Sequence, residues 1–91
     1  IEGCFVYCVY VLQSRKNRGL YIGFSNDLRK RFKRHNLGMV ISTKLRRPFD
    51  IIYYEACLNK TDALHREIYL KTAWGRRYIN NRMKNYNATI G

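Results

Sequence analysis

Tyr21-Ile22-Gly23-Phe24-Ser25-Asn26-Asp27-Leu28, continued by Arg31, Phe32 and His35, decides the fold of this chain. Leu20 to Phe24 is short, apolar and β-prone, and predicts a strand. Ser25-Asn26-Asp27 supplies the side-chain oxygens that cap a helix, and Asp27 adds negative charge at its start. From there to about Asn36, Leu28, Arg31, Phe32 and His35 recur at i, i+3, i+4 and i+7, one face of a helix. Leu28 and Phe32 turn that face inward and carry Arg31 and His35 with them, one turn apart. The opposite face, Arg29, Lys30, Lys33 and Arg34, is a basic ridge.

Upstream, Phe5 to Leu12 is dense in Val, Tyr and Phe and reads as a strand buried on both faces. The polar run Ser14 to Gly19 is short enough to join it to Leu20–Phe24 as an antiparallel hairpin. Downstream, Asn36 to Pro48 is irregular, and Asp50 to Leu58 predicts a third strand. Asn59 caps the next helix, with Asp62 three positions on as an acidic stand-in for the capping-box residue. Ala63, Glu67, Leu70 and Trp74 share one face of that helix, and Gly75 is expected to break it. A last helix, Arg76 to Tyr86, turns Tyr78, Ile79, Met83 and Tyr86 inward. The order β-β-α-β-α-α predicts an α+β fold, a small sheet covered by helices, as one domain over residues 1–91.

Eighteen Lys and Arg against six Asp and Glu give a net charge of +12. Such an excess points to phosphate-rich polymers or anionic surfaces as partners. The longest apolar run, Cys4 to Leu12, falls short of the roughly 20 residues that span a bilayer, and it has no basic flank or small-residue cleavage site. No membrane association and a cytoplasmic location are the expectations. Cys4, Cys8 and Cys57, odd in number and lacking a CxxC pair, read as buried reduced thiols rather than a zinc site.

Six carboxylates leave few catalytic options. Glu2 is near a terminus, Asp27 and Asp62 belong to helix starts, and Asp50 to a strand entry. Glu55 alternates toward solvent between neighbouring tyrosines. Glu67 stands out, because an unpaired charge in a stripe of Ala63, Leu70 and Trp74 would cost several kcal/mol. It is either an edge-of-core ion pair or a metal ligand or general base. A two-metal site needs several clustered acids, so at most one ion is expected, its shell completed by water and phosphate oxygens. No Walker loop or Ser-His-Asp set is present. Tyr7, Tyr10 and Tyr21 of the opening hairpin are either core tyrosines or, with a pKa lowered by a nearby arginine and metal, a base or a holder of the nucleophilic water.

Together these residues resemble the GIY-YIG nuclease family. Cys8-Val9-Tyr10 and, ten residues on, Tyr21-Ile22-Gly23 are similar to its paired tripeptides, with Cys8 for Gly and Val9 for Ile in the first. Ser25, Asp27-Leu28, Arg31 and His35 continue the motif. Tyr53-Tyr54-Glu55, Asp62-Ala63, the Glu67…Lys71 pair and the tail from Gly75 to Arg82 resemble the second half of short stand-alone members. The resemblance implies a three-stranded antiparallel sheet flanked by helices, and cleavage of DNA phosphodiesters with one divalent cation, Mg²⁺ or Mn²⁺. It implies Glu67 as metal ligand, Tyr10 as general base or water-positioning group, and Tyr21 as its partner. Arg31 is the implied transition-state cation, His35 a proton relay or water-orienting group, and Asn81 the late polar residue, with Asn80 and Asn85 close by.

The expected activity is therefore a metal-dependent DNA endonuclease of weak intrinsic sequence specificity, in DNA repair or recombination. The rivals are a nucleic-acid-binding module that keeps the fold without cleavage, and a basic RNA- or ribosome-associated protein. Lys30, Lys33, Arg34, Lys44, Arg46, Arg47, Arg76 and Arg77 are the expected phosphate contacts. With no room for a separate DNA-binding domain, targeting comes from this basic surface or from a protein partner.

Overall fold

A computed structural model describes residues 6–90 of the chain. Its three strands are β1 (Tyr7–Ser14), β2 (Leu20–Ser25) and β3 (Phe49–Cys57). The helices are α1 (Leu28–Asn36), α2 (Lys60–Leu70), α3 (Ala73–Arg82) and α4 (Lys84–Ile90), with a 3₁₀ turn at Lys44–Arg46. The sheet is antiparallel in the order β2-β1-β3, so β1 is central and pairs on both edges. The α+β expectation and the three-stranded antiparallel sheet hold.

Chain direction reverses between β1 and β2 through a turn in which the Ser14 amide donates to Gly19 O and the Ser14 hydroxyl accepts from the Lys16 and Asn17 amides. These bonds, together with pairing to Leu20 and Phe49, carry β1 past the expected end at Leu12 to the polar pair Gln13-Ser14. The expected strand start, Phe5, lies outside the described residues, as do Glu2 and Cys4. Cys8 and Val9 run as ordinary ladder positions, Cys8 opposite Ser25 and Ala56.

One sheet face packs Val9, Val11 and Ile22 against Ala63, Leu70, Ile79 and Met83 of the C-terminal half. The other packs Tyr10, Leu12 and Phe49 against Tyr21, Leu28, Phe32 and Ile51 beneath α1. Between Val11 and Leu12 the ladder with β3 skips a residue: Val11 pairs with Tyr53 and Leu12 with Ile51. This bulge lets consecutive Ile52 and Tyr53 join the same core, which strict alternation forbids. β3 itself begins one residue earlier than expected, and Leu58 is left 79% exposed beyond its end.

Both expected caps form: Asp27 accepts from the Lys30 amide and Asn59 from the Asp62 amide. The C-terminal half departs from expectation. α2 ends at Leu70, Thr72 caps α3 by accepting from the Gly75 amide, and Gly75 sits inside α3 rather than breaking a helix. A Cβ on Gly75 would lie 2.2 Å from Tyr69 O, so the missing side chain is what lets α3 fold back onto the end of α2. The change of axis ends the Ala63–Leu70 stripe. Trp74 is consequently 67% exposed, under the Arg77 guanidinium, instead of buried. The last expected helix starts three residues earlier and splits at Met83 into α3 and α4, while Ile79 and Met83 are buried as expected.

Candidate active site

Tyr10 stands opposite Gly23 in the β1–β2 ladder, and its ring crosses over that glycine. A Cβ at Gly23 would lie 2.4 Å from the Tyr10 hydroxyl, so no other residue leaves the path open. This carries the fully buried Tyr10 to α1, where its hydroxyl meets His35 Nε2 at 2.9 Å and accepts from Arg31 Nε at 3.4 Å. Tyr21 closes the cluster, its ring 5.0 Å from the His35 ring and 6.4 Å from that of Tyr10. Arg31 is held by Tyr10 first and by Tyr21 as well. Four of the expected site residues therefore converge.

The hydrogen-bond network assigns the protons. On the far side of the ring His35 Nδ1 lies 2.8 Å from the Thr43 hydroxyl, which donates to Val40 O. The buried Tyr10 hydroxyl already accepts from Arg31, so its own proton is directed at His35 Nε2. In the neutral ring Nδ1 then carries the hydrogen and donates to the Thr43 hydroxyl. Burial, and then the Arg31 charge, pushes the His35 pKa down to about 4, so the ring is neutral near pH 7. Burial also raises the Tyr10 pKa and outweighs the Arg31 hydrogen bond that lowers it. In the metal-free chain Tyr10 is therefore a neutral phenol beside a neutral imidazole.

Glu67 approaches from α2. Its negative charge is felt at Tyr10, and its partly buried carboxylate, side chain 19% exposed, pairs with Lys71 Nζ at 3.2 Å. The ion pair, one of the two readings that the sequence leaves open, is therefore present. Glu55 is not solvent-facing: Arg66 holds it through two hydrogen bonds of 2.8 and 2.9 Å, and the Tyr53 hydroxyl donates to it. The Arg66 contact holds its carboxyl below the usual range. No group of three or more His, Cys, Asp or Glu residues gathers among the described residues. Cys8 is buried and Cys57 half-buried, and neither forms a disulfide among the described residues.

The model of the GIY-YIG catalytic domain matches residues 6–87. The chain belongs to the GIY-YIG family. Among its relatives, the UPF0213 protein SSP2268 of Staphylococcus saprophyticus is 38% identical over 65 residues, covering 70% of this chain and 78% of the relative. The UPF0213 protein CPE1444 of Clostridium perfringens is 42% identical over 64 residues, 69% of this chain and 68% of the relative. The UPF0213 protein YazA of Bacillus subtilis is 41% identical over 63 residues, 68% of this chain and 63% of the relative. These names state no activity. Membership in the GIY-YIG family implies nuclease-type chemistry.

Within this GIY-YIG domain the expected phosphate contacts are not equivalent. Lys30, Lys33 and Arg34 are exposed on α1, and Lys44 and Arg47 on the loop that follows. Arg46 instead lies half-buried over the Phe49 ring and donates to Leu20 O, a packing role. Arg76 and Arg77 are exposed on α3, where Arg77 covers Trp74. Asn81 is exposed on the same helix. Thr43 was missed, because a hydroxyl in an irregular loop has no periodicity to reveal it. Asn36 was missed as well. Its amide bonds both Phe49 N and Phe49 O, stitching the end of α1 to β3. No described helix is long and apolar enough to cross a membrane.

Proposed function

We propose that this domain is a cytoplasmic, divalent-metal-dependent DNA endonuclease that hydrolyses phosphodiester bonds with weak intrinsic sequence specificity, in repair or recombination. The observation that supports this most is the hydrogen-bonded set Arg31–Tyr10–His35 beside the Glu67 charge. A pure binding module has no use for a buried phenol poised between a guanidinium and a neutral imidazole.

Tyr10 Oη keeps one lone pair after accepting from Arg31. Because Tyr10 is buried in the free chain, that pair would accept from the attacking water only once Arg31 turns toward a bound phosphate. As the water oxygen bonds to phosphorus and the P–O bond to the leaving oxygen breaks, the water proton passes to Tyr10 Oη. The Tyr10 proton moves at the same time to His35 Nε2. His35 is uncharged near pH 7, so its ring has a lone pair to receive that proton. The burial and Arg31 charge that lower its pKa make it give the proton back readily. The Arg31 guanidinium then faces the phosphoryl oxygens as their charge grows. Glu67 would hold the single ion, Mg²⁺ or Mn²⁺. A partly buried carboxylate shared only with exposed Lys71, and with no acidic cluster beside it, suits a cation that keeps most of its shell as water and phosphate oxygen. Such an ion would neutralise charge on the phosphate.

The test is incubation with plasmid, branched and single-stranded DNA in Mg²⁺, Mn²⁺ or EDTA. Wild type should cleave with either metal and not in EDTA. Glu67→Ala should abolish cleavage while metal-free DNA affinity stays level or rises. A wild type that binds DNA but never cuts would make this a binding module.

A further inference from the structure

Two cavities adjoin at Arg31. The larger, about 340 Å³, is lined by Tyr7, Phe24, Ser25, Asn26, Arg31 and Lys60. The smaller, about 210 Å³, shares Ser25, Asn26 and Arg31 and continues to Asp27, Lys30 and Arg34. Four cations thus line a path on both sides of Arg31. The single carboxylate among them, Asp27, is engaged at the start of α1, where it accepts from the Lys30 amide. Lys60 makes no ion pair among the described residues, and its own cavity holds no acid.

One wall of the larger cavity is aromatic. Tyr7 and Phe24 stack with ring centroids 6.0 Å apart and planes 7° from parallel. Cations beside an aromatic wall suit a nucleotide, whose phosphate meets the charge and whose base or sugar meets the ring. At about 340 Å³ the cavity is within the range of about 300–1,000 Å³ that holds small ligands. A cavity of about 450 Å³ under α1 is lined by Leu28, Phe32, Ile51 and Tyr54 with Arg29 as its one cation, and lacks this charge.

We propose that this groove is a nucleotide subsite flanking the site. In it Lys60 binds the phosphate adjacent to the one that faces Arg31, and the Tyr7–Phe24 wall receives the adjoining base or sugar. Lys60 belongs to none of the contacts expected from sequence. The inference rests on the nucleic-acid-cleaving reading, but its test uses no cleavage.

Affinity of the full chain for a labelled DNA duplex is measured in EDTA by fluorescence anisotropy across a salt series. Wild type, engaging roughly five phosphates, should show log K falling with log[salt] at a slope of about −4.5. Lys60→Ala and Lys60→Gln should each lessen that slope by about 0.9, one phosphate, with an unchanged melting temperature. Lys60→Arg should keep it. Lys84→Ala, on α4 and lining neither cavity, should leave it unchanged. Slopes for Lys60→Ala and Lys60→Gln equal to wild type, or an equal loss in Lys84→Ala, would overturn the subsite and leave the nuclease reading standing. A wild type with no salt-dependent binding would overturn both.

Discussion

The Thr43 hydroxyl holds His35 Nδ1 at 2.8 Å, and both side chains are fully buried. The pair sets which nitrogen of the ring faces Tyr10. Thr43→Val keeps the shape and removes the acceptor, so the Nδ1 proton loses its partner and the other tautomer gains population. Cleavage should fall by about 10-fold or more, and ¹⁵N chemical shifts should show a mixed or inverted imidazole tautomer. Thr43→Ser should restore both. Loss of activity in Thr43→Val with an unchanged ¹⁵N pattern would mean that Thr43 acts only through packing.

His35 also makes stability pH-dependent. Its native pKa is pushed down to about 4 from an ordinary 6.5, chiefly by burial. The unfolded chain therefore takes up a proton below about pH 6.5 that the native protein refuses. Stability from this group is complete above that pH and is lost progressively as the pH falls toward 4. Each unit of difference is worth about 1.4 kcal/mol. Denaturant melts between pH 7 and 4 should show this loss, and His35→Asn should flatten it.

The elements most legible in the sequence were those written locally. Asp27 and Asn59 cap helices with their own side chains, and the Leu28–Phe32–His35 stripe needs only one helical period. Trp74 lies off the Ala63–Leu70 stripe because a helix boundary falls between them. Thr72 three residues before Gly75 is cap chemistry, and it starts a new helix axis. Ile51-Ile52-Tyr53, three apolar residues in succession, was the trace of the bulge. Tyr10, Arg31 and His35 were legible as a set because a motif fixes their spacing. Thr43 and Asn36 act across tertiary contacts of 8 and 13 residues, for which no local rule exists.

Gly23 should prove irreplaceable for a steric reason unrelated to backbone angles. Gly23→Ala puts a methyl 2.4 Å from the Tyr10 hydroxyl, so that ring must move or the strands must part. Overpacking of this kind costs about 1–3 kcal/mol. A melting temperature lowered by several degrees, with cleavage lost even where the protein remains folded, is expected. Wild-type activity in Gly23→Ala would show that the position of the hydroxyl does not matter.

On the opposite sheet face, Arg66 holds Glu55 while its guanidinium lies 4.5 Å from the Tyr78 ring centroid. Arg66→Ala removes both guanidinium hydrogen bonds from the partly buried Glu55 carboxylate and leaves it the Tyr53 hydroxyl, at a cost of about 1–3 kcal/mol. Trp74→Ala, by contrast, removes an exposed ring and should change stability by less than about 0.5 kcal/mol. Chemical denaturation of the two variants distinguishes this structure from the uninterrupted helix, in which Trp74 would be the costlier loss.

Tyr10→Phe isolates the proton transfer. The ring and its packing remain, but His35 Nε2 loses its donor and Arg31 Nε its acceptor in a buried site. If Tyr10 relays the proton of the attacking water, the chemical step should slow by about 10²- to 10⁴-fold, the usual contribution of a general acid–base group. Metal-free DNA affinity should hold, since Arg31 is left free to meet phosphate. Tyr21→Phe should cost less, because Tyr21 meets His35 with its ring and supports Arg31 only after Tyr10. Single-turnover cleavage under saturating enzyme reads the chemical step without the binding step. Equal losses in Tyr10→Phe and Tyr21→Phe would assign the relay to both hydroxyls. A loss confined to Tyr21→Phe would move the relay off Tyr10 altogether.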